Sequence, residues 1–292
     1  MFFGSGIGCY FSLNKNPDIY DFYKRRFFRI APTYICFIIL WFVYKRIIGE
    51  VSFQMLIGNL FAIQNFTGFD NYFNWYISAL LLFYLLAPFF KSFVDRASIK
   101  TAILAFAILL VFSLSFWNAN TYIITITRIP IFLMGFFVGR LALKNDYNIT
   151  IKSSVLAIIC MVIGLVFLFI VILTCKEFLW SYGLYWYPFI LITPGLCLCI
   201  SYFVFFAQNV KWLNWITIFL KKIGENSFEI YLLHIPFFDV ARVLVNKIEV
   251  LKDYNNVIWI IAFALMPVIV ICLKIYIKIV MSLFQKGGHK SK

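Results

Sequence analysis

Long apolar runs, separated by short basic loops, recur along the whole sequence. Spanning the hydrocarbon of a bilayer takes a helix of about 20 mostly apolar residues. Seven runs are close to that length or longer: 27–44, 73–90, 99–117, 153–174, 185–207, 226–245 and 256–284. The shorter runs 1–13 and 128–143 are also predicted to lie in the membrane. The pattern predicts an all-α fold, a polytopic integral membrane helix bundle of about nine spans.

The composition agrees with lipid as the main solvent. The chain is 63% hydrophobic and 13% charged, whereas a soluble domain is about half apolar and a quarter charged. A water-soluble core of this length could not bury that excess. No linker divides the runs into two bundles, so we predict one membrane domain, residues 1–285, and a basic cytosolic tail, residues 286–292.

The net charge of +14 does not indicate a nucleic-acid partner, because the cations lie in short loops between apolar runs. If the loop before residue 27 is cytosolic and the loops alternate, seventeen lysines and arginines lie in cytosolic segments and five in the opposite loops. Cytosolic loops of membrane proteins carry such an excess. We therefore predict a multi-pass protein of the cell membrane with a cytosolic C-terminus.

Two other features narrow the prediction. The stretch 51–66 is apolar but contains glutamines and asparagines, which favours an interfacial or re-entrant helix. No two of the seven cysteines are spaced as in a CxxC motif, and six of the seven lie inside apolar runs. We therefore predict neither a disulfide framework nor a metal site. Phosphate-loop, dinucleotide, serine-hydrolase and zinc-protease motifs are absent from the sequence.

The segment YKRRFFRIAPTYICFIILWF, residues 23–42, places four cations at the mouth of an apolar helix. Helical spacing would put Arg25, Arg26 and Arg29 on one side of its first turns. Guanidinium groups bind phosphate bidentately and keep their charge. The cluster therefore favours a phosphorylated ligand at the cytosolic face. The alternative, a topology determinant that contacts lipid headgroups, is left open by this stretch alone.

The run NSFEIYLLHIPFFDVARVLV, residues 226–245, contains four ionisable side chains. Such groups are costly in hydrocarbon and usually functional. His234 is the deepest, and imidazole titrates nearest neutrality, which favours proton transfer; a hydrogen-bonded packing role is the alternative. Asp239 and Arg242 are three residues apart, and we predict a structural ion pair between them.

Two further patches of the sequence stand out. Trp75 and Tyr76 open the run 73–90, where aromatic residues are ordinary anchors of the membrane interface. Arg128 precedes the run 128–143, against the predicted inside bias of cations. That arginine is equally compatible with contact to a ligand or partner and with a role in setting the membrane topology.

Five segments follow one another along the chain: FFGSGIGCYFSL (2–13), RRFFRIAPTY (25–34), NWYISALLLFYLLAPFF (74–90), RIPIFLMGFFVGR (128–140) and IGENSFEIYLLHIP (223–236). In this order they resemble the membrane-bound acyltransferase-3 family. The specificity of the set comes from the order of the segments and from RRxxR directly at the mouth of a helix.

The resemblance implies about ten membrane helices and transfer of an acyl group, usually acetyl, from cytosolic acetyl-CoA. The acceptor would be a hydroxyl of a cell-surface glycan or of its lipid-linked precursor. It assigns Arg25, Arg26 and Arg29 to donor binding and His234 to the active site. We predict a catalytic role for His234, in a reaction in which a histidine removes the proton of the acceptor hydroxyl. The expected lining of the active site is Trp75, Tyr76, Ser78, Arg128, Glu229 and Tyr231.

The sequence departs from the family pattern in two places. The family has a first helix that carries a His, preceded by an Arg, and the resemblance implies that this His is the main catalytic base. That helix is expected before Met1, and the charge alternation also places Met1 outside and so predicts a preceding span. A family glutamate corresponds to Leu80 here. The alternatives are a catalytically incomplete paralogue that binds donor without turnover and a secondary transporter or flippase, although the two related halves common in transporters are not visible.

Overall fold

The computed structural model describes residues 1–49, 53–63, 75–114, 125–146, 148, 150–174, 186–247 and 255–288. Every regular element in those ranges is a helix, which confirms the all-α prediction. The chain forms two compact units. Unit 1 comprises Met1–Arg26 and Ala62–Val210, and unit 2 comprises Phe27–Phe61 and Lys211–Lys292. The predicted division into one membrane domain and a tail stays a prediction.

We number the helices in chain order. Those of unit 1 are α1 (Phe2–Lys15), α4 (Trp75–Arg96), α5 (Ile99–Leu114), α6 (Ile129–Lys144), α7 (Ile151–Thr174) and α8 (Pro188–Asn209). Helix α2 (Ile19–Ile47) contributes its first turns to unit 1 and the rest to unit 2. The remaining helices of unit 2 are α3 (Phe53–Leu60), α9 (Asn214–Glu225), α10 (Ser227–Lys247) and α11 (Asn255–Gly288).

Five helical stretches of the described chain are long and apolar enough to cross a membrane, so the predicted count of nine is not confirmed. They are Ile19–Ile47, Trp75–Arg96, Ile151–Thr174, Pro188–Asn209 and Phe263–Ser282. Helices α1, α5 and α6 have 14, 16 and 16 residues, short of the usual 20. Helix α10 has 21 residues but also carries Glu229, Asp239 and Arg242, which are costly in hydrocarbon.

Helix α1 crosses α6 in backbone contact. A methyl group added to Gly6 would lie 2.2 Å from the Phe132 carbonyl oxygen, and one added to Gly135 would lie 2.3 Å from that of Phe3. Small residues allow this approach, and membrane helices use it because packing drives their association. The side chains of Phe2, Phe3, Cys9, Tyr10 and Leu13 are buried. The short first run therefore forms part of the core of unit 1.

Helices α7 and α8 pack in the same way. A methyl group added to Gly195 would lie 2.5 Å from the Ala157 carbonyl oxygen, and one added to Gly164 would lie 2.9 Å from that of Pro188. The other faces of both helices expose large apolar side chains such as Phe169. Such helices, apolar on all sides, suit a lipid environment.

Helix α9 was not anticipated from the sequence. It is strongly amphipathic: Trp215 and Phe219 are exposed, and Lys221 and Lys222 follow. An amphipathic helix that exposes aromatic and basic side chains is typical of a membrane interface. Within the predicted interfacial stretch 51–66, the structure has α3 (Phe53–Leu60), whereas 51, 52 and 64–66 lie outside the described residues.

Candidate functional site

The arginine segment lies in the first turns of α2. The Asp18 carboxylate accepts hydrogen bonds from the backbone N–H groups of Tyr20 and Asp21, at 2.8 and 3.2 Å, and so caps the helix. Arg25 and Arg29 are exposed. They are four residues apart on one helix, a spacing that places side chains on the same side of a helix.

Arg26 turns into unit 1 instead. Its Nη2 donates to the Gly8 carbonyl at 3.2 Å, and its Cζ lies 4.9 Å from the centre of the Tyr84 ring and 5.4 Å from that of Phe22. Guanidinium groups are attracted to aromatic faces at these distances. Arg26 thus connects α2 to α1 and α4, in addition to any role in donor binding.

Replacing Arg26 with glutamine is expected to lower stability. The variant loses two cation–π contacts and a charged hydrogen bond, together worth roughly 1–3 kcal/mol. Thermal unfolding in detergent would measure the loss, with the exposed Arg25→Gln as the matched control. Equal melting temperatures for the two variants would contradict the structural role of Arg26.

The predicted aromatic lining lies in the first turn of α4. The Tyr76 ring is 4.7 Å from that of Phe2, and the Trp75 ring is 6.2 Å from it. Ser78 is buried on the same helix, and its hydroxyl has no hydrogen-bond partner among the described residues. The start of α4 therefore has an aromatic wall with a buried hydroxyl one turn along the helix.

Arg128 is buried, with 3% of its surface exposed, immediately before α6. Its Nη1 donates to the Thr127 hydroxyl at 2.6 Å. Its Cζ stacks 3.4 Å from the centre of the Trp186 ring and lies 5.4 Å from that of Trp75. Nothing in the sequence links Trp186 to Arg128, so this tryptophan was missed as a site residue.

Tyr187, beside Trp186, extends this cluster. Burial raises the pKa of its hydroxyl to about 12, although the positive charge of Arg128 acts in the opposite direction. The hydroxyl is therefore neutral near pH 7 and can donate a hydrogen bond. Trp75, Arg128, Trp186 and Tyr187 together provide flat aromatic faces, a cation and a donor at one place in unit 1.

His234 lies half-buried on α10. Its Nδ1 is hydrogen-bonded to the backbone carbonyl of Tyr231, and the two rings are 5.2 Å apart. A carbonyl can only accept, so Nδ1 carries the proton in neutral imidazole and Nε2 keeps its lone pair. The geometry therefore gives His234 the tautomer of a base that acts through Nε2.

Two ion pairs involve Glu229, Asp239 and Arg242 of α10. Glu229 lies 3.8 Å from Lys274 of α11, with the carboxylate side chain largely buried. Arg242 donates to Asp239 at 2.9 Å, which confirms the predicted pair. Neither arrangement indicates a reaction by itself.

The predicted site residues fall into two groups. Within unit 1 the structure brings Trp75 and Arg128 together, with Tyr76 and Ser78 on the same helix as Trp75. Within unit 2, Tyr231 and His234 share one turn of α10, and Glu229 precedes them by less than a turn. Arg25 and Arg26 belong to unit 1 and Arg29 to unit 2. The catalytic and binding roles of these residues stay predictions.

A family model described as an acyltransferase domain matches residues 1–277. The chain belongs to the acyltransferase-3 family. The match includes all the site residues predicted from the resemblance and every helix except the end of α11. No match was found among curated proteins or among solved structures. As a member of the acyltransferase-3 family with several membrane-length apolar helices, the protein is a multi-pass membrane acyltransferase.

Proposed function

We propose that this acyltransferase is an O-acyltransferase of the cell membrane with a cytosolic C-terminus. It would move an acetyl group from cytosolic acetyl-CoA to a hydroxyl of a cell-surface glycan or its lipid-linked precursor. The observation that carries the proposal is the hydrogen bond between His234 Nδ1 and the Tyr231 carbonyl, in a chain of acyltransferase sequence. That bond leaves Nε2 as a base within an apolar helix.

In the proposed reaction, Nε2 of His234 takes the proton of the acceptor hydroxyl as its oxygen attacks the thioester carbonyl carbon. The new C–O bond forms and the C–S bond breaks. The imidazolium then returns its proton to the departing thiolate. The products are the acyl ester and free coenzyme A, and His234 is restored to its neutral tautomer.

Donor binding would use the arginine segment of α2. Coenzyme A carries a pyrophosphate and a 3′-phosphate, and guanidinium forks match phosphate oxygens. Arg25 and Arg29 are exposed and so could reach a ligand. Arg26, with its contacts to Tyr84 and Gly8, would add positive charge and hold the segment in place.

Removing the exposed charges tests donor binding. We expect Arg25→Gln combined with Arg29→Gln to weaken coenzyme A affinity by roughly tenfold or more per arginine, because a hydrogen bond to a charged group contributes about 1.5–3 kcal/mol. Isothermal titration of the purified protein would measure it. As a control, Lys221→Gln combined with Lys222→Gln removes the same charge from α9 and should bind coenzyme A normally. Equal coenzyme A affinities of the two double variants would mean that the arginines only determine the membrane topology.

Release of free thiol from acetyl-CoA tests the reaction itself. We expect the purified protein to release coenzyme A faster when a glycan acceptor is added. Glycan movement across vesicle membranes without thiol release would favour the transporter alternative. Coenzyme A binding without release would favour the incomplete paralogue.

A further inference from the structure

Unit 2 contains an open groove of about 460 Å³ between α2, α10 and α11. Each helix lines it with residues at positions i, i+3, i+4 and i+7, beginning at Phe37, Leu233 and Ile269. That spacing is one face of two helical turns. The volume lies in the range of small-molecule pockets, about 300–1,000 Å³. Three apolar faces thus surround a space that their own side chains do not fill.

The shape of the groove suits a hydrocarbon chain. Seven residues of helix rise about 10 Å, so the lined part is about as long as a segment of several methylene groups. Its walls are aliphatic and aromatic except for Cys272 and two tyrosine hydroxyls. An unfilled apolar space forfeits dispersion contacts, and a chain from the surrounding bilayer would restore them.

One end of the groove is basic. Trp41 and Tyr44 line this end, with rings 5.2 Å apart, and the Lys45 Nζ lies 5.1 Å from the centre of the Trp41 ring. Arg46 is the next residue. Cations at a helix C-terminus are favourable in any protein. That effect alone would not require the lysine to lie over an aromatic wall of the groove.

This basic end lies far along α2 from the donor arginines. Arg25 and Lys45 are 20 residues apart on this helix (45 minus 25), or about 30 Å at 1.5 Å per residue, which is the thickness of the hydrocarbon core of a bilayer. With Arg25 in the cytosol, as predicted, Lys45 and Arg46 would lie at the outer face. Cations are rare there in the usual pattern, which favours an anionic ligand.

We propose that the groove binds the lipid-linked acceptor, with its hydrocarbon chain between the three apolar faces and its phosphate on Lys45 and Arg46. The inference rests on the proposed function and specifies its acceptor. His234 is flanked in sequence by the lining residues Leu233 and Pro236. A chain held in the groove would therefore keep the acceptor beside the helix that carries the catalytic base.

The apolar part is tested with a long-chain polyisoprenyl phosphate as the probe, its binding to the full-length protein in detergent measured by native mass spectrometry. Leu40 lines the groove and Ile39 does not, yet their exposures are 42% and 45% on adjacent positions of α2. We expect Leu40→Trp to fill the groove and lower affinity at least tenfold, and Ile39→Trp to bind normally. Val240→Trp fills the same groove from α10, in case Leu40→Trp does not fold.

The basic end is tested with the same lipid with and without its phosphate. Lys45→Gln combined with Arg46→Gln should weaken binding of the phosphate several-fold and leave binding of the free polyisoprenol unchanged. Lys278→Gln, an exposed cation elsewhere on α11, is the control. Phosphatidylglycerol is the comparison lipid. If it bound with the same affinity as the polyisoprenyl phosphate, and if Leu40→Trp blocked both equally, the groove would be a site for bulk lipid and the proposal would be overturned.

Binding and catalysis are measured separately, so their failures can be told apart. No thiol release by the wild type would overturn the proposed O-acyl transfer, while lipid binding blocked by Leu40→Trp but not by Ile39→Trp would still support the groove. Thiol release with equal lipid affinity in both variants would overturn the groove and leave O-acyl transfer in place.

Discussion

Replacing His234 with glutamine is expected to lower the rate of acyl transfer by about 100- to 10,000-fold, the usual contribution of a general base. Glutamine has nearly the size of histidine and can keep a hydrogen bond to the Tyr231 carbonyl, but it cannot accept a proton at neutral pH. Thiol release at saturating acetyl-CoA and acceptor would measure the loss, and coenzyme A affinity should stay unchanged.

The chain offers a control for this substitution. Its other histidine, His289, lies outside the described residues and in the basic tail. His289→Gln should release thiol at the wild-type rate. If His234→Gln also kept the wild-type rate, the imidazole would be a packing group, and the base would have to be sought elsewhere.

Alanine at Gly6 is expected to destabilise unit 1 by about 1–3 kcal/mol or more, the usual cost of overpacking. The added methyl group would lie 2.2 Å from the Phe132 carbonyl oxygen, which is backbone and can move only if α1 or α6 moves. Denaturation of the purified protein in detergent would measure the loss.

Two neighbouring glycines on the same helix make the test stringent. A methyl group added to Gly4 or Gly8 would meet no atom within 4 Å. Alanine favours a helix interior over glycine by about 1 kcal/mol, so Gly4→Ala and Gly8→Ala should be neutral or stabilising. If all three substitutions raised the melting temperature, the close crossing of α1 and α6 would be wrong.

Local sequence patterns predicted the helices and the contacts made within them. The Asp239–Arg242 pair follows from a spacing of three residues, and α7 follows from a long uninterrupted apolar run. The family resemblance, confirmed by the match to residues 1–277, came from short motifs whose order is preserved. Each of these signals lies within a few turns of one helix.

Contacts between distant segments could not be predicted in this way. Helical spacing alone would put Arg26 beside Arg29, but the structure turns Arg26 to Gly8 and Tyr84, which are remote in sequence. The stacking of Arg128 on Trp186 is equally non-local. The number of spans could not be predicted for another reason: helices of 14–16 residues, such as α1, α5 and α6, are compatible both with short spans and with packed internal helices.

The crossing of α1 and α6 also bears on biosynthesis. Gly6 and Gly135 are 129 residues apart (135 minus 6). At about 5–20 residues per second, a ribosome takes roughly 6 to 26 s to make that interval. During that time α1, which has only 14 residues, is already synthesised, but α6, which covers its glycine face, is not. We therefore expect nascent chains arrested before α6 to need an insertase or a membrane chaperone that shields α1.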